Sequence, residues 1–342
     1  MSIALDLLAW YDQNKRDLPW RRTKDPYFIW ISEIMLQQTQ VDTVIPYYLR
    51  FTNRFKTPID LASAPLEEVY KYWEGLGYYS RARNLQASAK MIVEEYQGKM
   101  IGDIEKLLAL KGVGPYTANA VGSIAFDLNV FALDGNGLRI ISRLYNMEDN
   151  IALPKTMKQI QAIGDELVKG VNAGDFNQAI MDLGATICRP KNPACEKCPI
   201  RSHCLASQQH RQDVLPINIK KKNNQDIHYI TGGIYYQDQL YLIKNGPDGL
   251  LANLYGCPQY AVESPYTFIE AFKEDTGLEI DVIDHVKDIK HVFSHRTWYM
   301  HVYLFRLNSD SKSLYSKKEI DKLPISTAHV KVLKAIYSCL EF

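Results

Sequence analysis

One run, Leu110-Lys111-Gly112-Val113-Gly114-Pro115-Tyr116-Thr117, constrains this chain more tightly than any other stretch. Two glycines bracket a small apolar residue between an apolar helix end and a new helix start. That pattern makes a tight hairpin whose bare backbone N–H groups can approach a phosphate. Through Gly112, Val113 and Gly114 it would hold a nucleic-acid backbone without reading its sequence. Downstream, Leu133-Asp134-Gly135-Asn136 is expected to display an aspartate at the end of the following helix, before another helix beginning near Leu138. An acid beside a phosphate-binding turn implies chemistry on the nucleic acid.

Four of the six cysteines, Cys188, Cys195, Cys198 and Cys204, form a C-x6-C-x2-C-x5-C array. The stretch from Met1 to Tyr11 breaks into Asp12, Lys15 and Arg16 without a small-residue cleavage site, so the chain reads as cytoplasmic. In that setting, crowded cysteines point to thiolates on a metal centre rather than to disulfides. Structural zinc usually takes two paired knuckles, and only Cys195 and Cys198 form one here. A 4Fe-4S cluster on four thiolates fits this loop better, with a zinc clip as the alternative. The loop would present Arg189, Lys191, Lys197 and Arg201 to phosphates. Cys257 and Cys339 stand apart and read as core residues.

At 342 residues the chain has room for two domains. Its formal net charge of +1 gives no overall pull toward a polyanion, so DNA affinity must come from a local basic face and backbone donors. No apolar run is long enough to span a membrane. Apolar residues recur at helical spacing from Ser2 to Ile187, which predicts an all-α domain over residues 1–207. The polar, basic stretch 208–225, with Pro216 and Lys220-Lys221-Lys222, reads as a linker. Over 226–342, β-branched and aromatic runs at Tyr229–Tyr236, Gln239–Lys244, His285–Phe293 and Thr297–Leu307 alternate with helical stretches at Pro265–Thr276 and Thr327–Cys339, predicting a smaller α+β domain.

Glu33 is the one charged side chain between Asp25 and Asp42, in the apolar stretch Phe28-Ile29-Trp30-Ile31-Ser32-Glu33-Ile34-Met35-Leu36. Burial would raise its pKa and keep it protonated near neutrality, as a general acid requires. The plain alternative is an acid on the exposed edge of an amphipathic helix. Paired with an ionised Asp134, a protonated Glu33 gives the two-carboxylate logic of glycosidic-bond cleavage.

The hairpin with Asp134, the cysteine array and the block from Leu18-Pro19-Trp20 to Thr39 together resemble the endonuclease III superfamily of helix-hairpin-helix DNA glycosylases, and within it the MutY family of adenine DNA glycosylases. The resemblance runs over essentially the whole chain, and Ser32-Glu33-Ile34-Met35-Leu36-Gln37-Gln38-Thr39-Gln40-Val41 is specific to that branch. It implies a monomeric, nucleoid-associated enzyme that acts on double-stranded DNA containing adenine opposite 8-oxoguanine or guanine, flips the adenine out and removes it in base excision repair. It implies Glu33 as the acid, Asp134 as the group that stabilises or captures the cationic sugar, and Asn136 as orienting water or an acid. Arg16, Trp20, Arg21 and Leu36 match the adenine pocket. Gln38 and Tyr78 match residues that fill the gap in the base stack, Thr39 a contact to the lesion base, and Phe293, Ser294 and His295 the loop that reads 8-oxoguanine. Bifunctional relatives carry a Schiff-base lysine where this chain has Tyr116, so the resemblance implies a monofunctional glycosylase, with the tyrosine hydroxyl hydrogen-bonded in the site. Gly137 departs from the apolar residue usual there and is expected to loosen the helix start.

The second domain resembles a Nudix fold, which raises a rival reading as a diphosphate hydrolase. Aligning the Nudix helix ending on Gly277 leaves Glu270 and Ala271 where arginine and glutamate should stand, so the Mg²⁺ site is broken and a lesion-recognition module is expected. A silent DNA-binding sensor built on the cluster would need neither Glu33 nor Asp134.

Overall fold

The computed structural model describes residues 2–219, 225–293 and 296–340. By its contacts the chain divides into two units, Met1–Ala64 with Asn84–Lys221, and Pro65–Arg83 with Lys222–Phe342. Ser294 and His295 lie outside the described residues.

The helices of the first half run α1 (Ile3–Asn14), α2 (Pro26–Leu36), α3 (Val41–Arg54), α4 (Pro58–Ser63), α5 (Leu66–Trp73), α6 (Ser80–Tyr96), α7 (Ile104–Ala109), α8 (Pro115–Phe126), α9 (Gly135–Leu144), α10 (Pro154–Leu167), α11 (Ala173–Thr186) and α12 (Leu205–Gln208). Their starts are written in side chains. Ser2, Asp25, Asp103, Asp134 and Asn172 each accept a first-turn N–H, and Pro26, Pro115 and Pro154 begin helices where the missing N–H costs nothing. One core of the first unit gathers Leu7, Tyr11, Phe131, Ile141, Phe176, Ile180 and Leu183, so α1, α9, α10 and α11 close around Phe131.

Residues expected to form a free linker are partly packed on this unit. The Arg143 Nε donates to the Leu215 carbonyl at 2.9 Å, Ile151 N–H donates to the Ile217 carbonyl at 2.9 Å, and Leu215 is buried. Polar composition signals wet side chains, not a loose backbone.

Gly164 in α10 meets the Phe131 ring so closely that an added Cβ would lie 2.0 Å from its Cδ1. Gly to Ala in a helix ordinarily gains about 1 kcal/mol. Here the overlap with a fully buried ring dominates, and overpacking of this kind costs about 1–3 kcal/mol. Gly164→Ala is therefore expected to lower stability by up to about 2 kcal/mol net, seen as a lower urea midpoint at unchanged slope; a higher midpoint would contradict this packing.

The second unit is built on a mixed sheet of β1 (Gln225–Tyr236), β2 (Gln239–Tyr241), β5 (Gln259–Tyr260), β6 (Ile280–Val292), β7 (Arg296–Leu307) and β8 (Leu314–Ser316), with β3 (Ile243–Lys244) and β4 (Tyr255–Gly256) as a separate pair. The order is β6-β7-β1-β2-β8, with β5 added to β1; β1 and β7 run parallel and the other pairs antiparallel. Alternate side chains of β7 serve two cores. Trp298, Met300, Val302 and Leu304 face α15 (Thr327–Tyr337), with α14 (Lys317–Ile320) contributing Ile320, while Phe305 and Leu307 face Phe268 and Phe272 of α13 (Pro265–Thr276). The segment carrying α5 and the Gly75–Tyr79 turn joins this unit through Tyr79 Oη on the Ile325 carbonyl at 3.0 Å and Lys244 Nζ on Glu67 at 2.9 Å.

Candidate active site

Glu33 sits on α2, a helix buried along almost its whole length, and is 4% exposed. The exposed-edge alternative is thereby excluded. Tyr116, on the first turn of α8, donates its hydroxyl to Glu33 Oε2 at 2.8 Å. Burial raises the Glu33 carboxyl to about 7; the Tyr116 hydrogen bond opposes that rise, the negative charge of Asp134 adds to it, and Arg21 opposes it. Burial, with the Glu33 charge next to it, pushes the Tyr116 phenol well above its usual range, so it stays a donor.

The hairpin that delivers Tyr116 turns at Gly112, whose φ of +79° suits glycine, and Val113 is buried beneath it. Gly114 is the N-cap of α8. One turn of chain thus fixes both the hairpin and the hydroxyl on Glu33.

Asp134 is placed differently from the expectation. α8 ends at Phe126, and Asp134 is the N-cap of α9, which begins at Gly135 rather than near Leu138. Its Oδ1 accepts the Gly137 N–H at 2.7 Å and its Oδ2 the Asn136 Nδ2 at 2.6 Å. The carboxylate takes an otherwise orphaned donor, and this starts the helix early. Gly137, expected to loosen this start, is bonded into it, and a Cβ there would crowd Phe131 at 3.1 Å and Leu133 at 3.2 Å. Burial pushes the Asp134 carboxyl up, and the bonds from Gly137 and Asn136 pull it back toward the charged form. Asn136 in turn accepts from Arg139 at 2.8 Å, and Arg139 Nε reaches the Cys188 carbonyl at 2.7 Å.

Arg16, Trp20, Arg21 and Leu36 line one small cavity with Glu33. Trp20 is held edge-on by Tyr48 at 5.3 Å. Sequence reasoning missed other lining residues, among them Gln178 and Met181 on α11. Their spacing of three on a helix was the available signal. At about 40 Å³ the cavity has room for roughly one water.

Gln38 and Tyr78, the two residues matched to gap filling, both hold left-handed backbone, with φ of 56° and 49°, and both are exposed. Such strain in non-glycine residues concentrates where function requires it. Thr39 N–H donates to the Leu36 carbonyl at 3.2 Å, closing the turn that carries Gln38. In the second unit, Tyr78 and Phe293 line one cavity of about 120 Å³. The Phe293 ring packs on Trp298 at 4.8 Å and His291 at 4.6 Å, while Val292 beside it is 62% exposed.

Cys188, Cys198 and Cys204 pack together against the core of the first unit. Burial chiefly, and the neighbouring Cys188, Cys204 and Cys195 after it, raise the Cys198 thiol to about 12 against a backbone bond from Ile200, so the four sulfurs sense one another. Arg143, fully buried, donates to Cys188 Sγ at 3.2 Å and to the Arg189 carbonyl at 2.8 Å. Among the described residues no three His, Cys, Asp or Glu groups are arranged to hold a single metal ion. Arg189, Lys191, Lys197 and Arg201 are all exposed. Also among the described residues, no helix is long and apolar enough to cross a membrane. In the second unit, Asp275 of α13 accepts from Tyr260 Oη at 2.8 Å.

Tyr116→Phe removes the bond that holds the Glu33 pKa down. Any rate that needs the Glu33 proton should then fall at higher pH than in the wild type, with a slower maximum because the carboxyl is no longer oriented. Single-turnover rates across pH measure this, and a shift to lower pH would contradict it.

Residues 31–169 match the HhH-GPD superfamily base excision DNA repair protein family, and residues 230–335 the NUDIX domain family. The chain is 47% identical to the human adenine DNA glycosylase over 218 residues, 61% of this chain and 40% of that protein. It is 35% identical to the adenine DNA glycosylase of Buchnera aphidicola subsp. Schizaphis graminum over 316 residues, 91% of this chain and 90% of that one. The chain thus spans about two fifths of the mammalian relatives it matches and nearly all of the bacterial one. Among solved structures, a thermostable thymine-DNA glycosylase matches with a TM-score of 0.56 and 32% identity, over 60% of this chain and 95% of that one. A non-covalent endonuclease III–DNA complex matches with a TM-score of 0.50 and 25% identity, over 60% of this chain and 94% of that one.

Proposed function

The chain belongs to the adenine DNA glycosylase family, and from that premise we propose that it excises adenine paired with 8-oxoguanine or guanine in duplex DNA, by hydrolysis and without cutting the strand. The observation that carries this reading is Glu33 buried to 4% exposure and bonded to Tyr116, its carboxyl raised to about 7 chiefly by burial.

The hairpin Gly112-Val113-Gly114 holds the DNA backbone, and the target adenine flips into the cavity of Arg16, Trp20, Arg21, Leu36 and Glu33. Glu33, titrating at about 7, gives its proton to N7 of the purine. The C1′–N9 bond breaks with its electron pair going to the base, and the cationic sugar is stabilised by Asp134, which Asn136 and the Gly137 N–H hold in place. Water then adds to C1′ and passes its proton to the Glu33 carboxylate, which restores the acid. Tyr116 has no amine to attack the sugar, so the product is an abasic site in an intact strand.

The thiols of Cys188, Cys195, Cys198 and Cys204 would hold a 4Fe-4S cluster. The donor set fits it, four free cysteine thiols in one loop, of which Cys188, Cys198 and Cys204 pack against the same core. Bound there, the cluster supplies a rigid staple for a loop whose exposed Arg189, Lys191, Lys197 and Arg201 face phosphates. Anaerobic purification with a visible absorption spectrum and an iron count tests this; a colourless, zinc-loaded protein overturns it.

Preference for 8-oxoguanine is assigned to residues 226–342, through Phe293, Ser294 and His295, with Gln38 and Tyr78 filling the stack and Thr39 contacting the lesion base. The left-handed Gln38 and Tyr78 and the exposed Val292 beside Phe293 support it. Loss of the Nudix carboxylate set supports recognition rather than hydrolysis. The test is a labelled duplex with adenine opposite 8-oxoguanine. Cleavage only after alkali is expected; nicking without alkali would mean a lyase, and binding without product a silent sensor.

A further inference from the structure

Two arginines of the cavity wall share one carboxylate that is itself no part of the lining. Asp182 lies on α11, its side chain wholly shielded from solvent. It accepts the Arg16 backbone N–H at 3.1 Å and the Arg16 Nε at 2.7 Å. It also accepts both terminal nitrogens of Arg21, at 2.6 and 2.9 Å. Arg21 donates besides to the Arg16 carbonyl at 3.2 Å, and its guanidinium stands 5.6 Å from the centre of the Tyr11 ring. Arg16 and Arg21 then line the cavity beside Glu33, Gln178 and Met181.

We propose that Asp182 is a positioning residue of the base pocket, a buried carboxylate that locks Arg16 and Arg21 into one rigid fork at the cavity wall and offsets their charge beside Glu33. The proposal rests on the excision reading above and names a residue that carries the pocket without touching the base. Bidentate geometry is what makes the lock specific, since a planar guanidinium fits two carboxylate oxygens at once and an ammonium does not. Burial works against the charge of Asp182, and the Arg21 and Arg16 bonds overcome it, holding the carboxyl below its usual range. Glu33 is faced by Tyr116 from α8, Asp134 from the start of α9 and Arg21 from the Pro19–Arg21 turn. Without Asp182, the Arg21 cation, which already pulls the Glu33 carboxyl down, would act on it with no carboxylate offsetting its charge, favour its ionised form and remove the proton that the reaction uses.

The experiment is Asp182→Asn in the full chain, with two readouts. Single-turnover release of adenine at pH 7 should slow by about thirtyfold or more, roughly 2 kcal/mol, while duplex affinity shifts by less than about threefold. The Glu33 carboxyl, followed by carbon NMR in glutamate-labelled protein, should titrate at lower pH than in the wild type. Arg21→Lys, which keeps the charge and loses the fork, should slow release by at least tenfold and carries the test if Asp182→Asn does not fold. In an R16Q/R21Q background, D182N should add no further slowing. A wild-type rate with an unmoved Glu33 titration in D182N overturns the proposal, as does equal slowing with and without the arginines. If the wild type itself releases no adenine, the excision reading fails, and the Glu33 titration in D182N still decides the clamp.

Discussion

Glu33→Gln is expected to stop adenine release and to leave duplex binding as it was. Glutamine keeps the size and can still accept from the Tyr116 hydroxyl, which bonds Glu33 Oε2 at 2.8 Å, but it has no acidic proton to give. General acid catalysis contributes about 10²–10⁴-fold, and here the same side chain also takes the proton from water, so a loss at the upper end of that range is expected. Single-turnover kinetics measures it, and turnover within tenfold of the wild type would remove Glu33 from the acid role. Stability should move the other way. The Glu33 pKa is raised on folding from 4.5 to about 7, so the folded chain binds that proton more tightly than the unfolded one. Below about 4.5 both states hold it and it costs nothing. As pH rises through about 7 that contribution is lost, a penalty of about 3 kcal/mol by pH 8. Glu33→Gln should therefore melt higher than the wild type at pH 8 and gain little near pH 4.5; equal gains at both would contradict the burial argument.

Asp134→Asn should slow release by about 10²–10³-fold, the scale of removing one group aimed at developing charge. Asparagine serves as an N-cap about as well as aspartate, so the bond from Gly137 N–H at 2.7 Å can persist and α9 should start where it does now. Stability is thus expected within about 0.5 kcal/mol of the wild type. Asp134→Ala loses the cap as well and should cost about 1 kcal/mol more. Comparing the two separates the capping role from the electrostatic one. An Asp134→Asn enzyme with an unchanged single-turnover rate would leave Asp134 as a cap and nothing else.

Much of the first unit was legible because its signals are local. α2 starts and ends where Asp25, Pro26 and the apolar run say it should. α4 is less legible although Thr57 and Asp60 form a capping box around Pro58, because six residues give too short a period to stand out. α9 starts three residues before the expected position because its first turn is glycine-rich and held by a side chain rather than by propensity. In the second unit, β4, β5 and β8 are two or three residues long and carry no alternation. The parallel pairing of β1 with β7 joins segments far apart in sequence, and strand pattern alone does not name a partner. The burial of Glu33 could be read from its apolar neighbours. Asp182 could not, since its partners Arg16 and Arg21 are more than 160 positions away and a carboxylate on a helix reads as a wet face.

The most direct test of the whole account is the rate of adenine release from an adenine:8-oxoguanine duplex by the wild-type chain, in single turnover from pH 5 to 9. The account predicts a fall above about pH 7 as Glu33 loses its proton, absent in the residual activity of Glu33→Gln. A wild-type rate that is level or rising from pH 7 to 9 would contradict it.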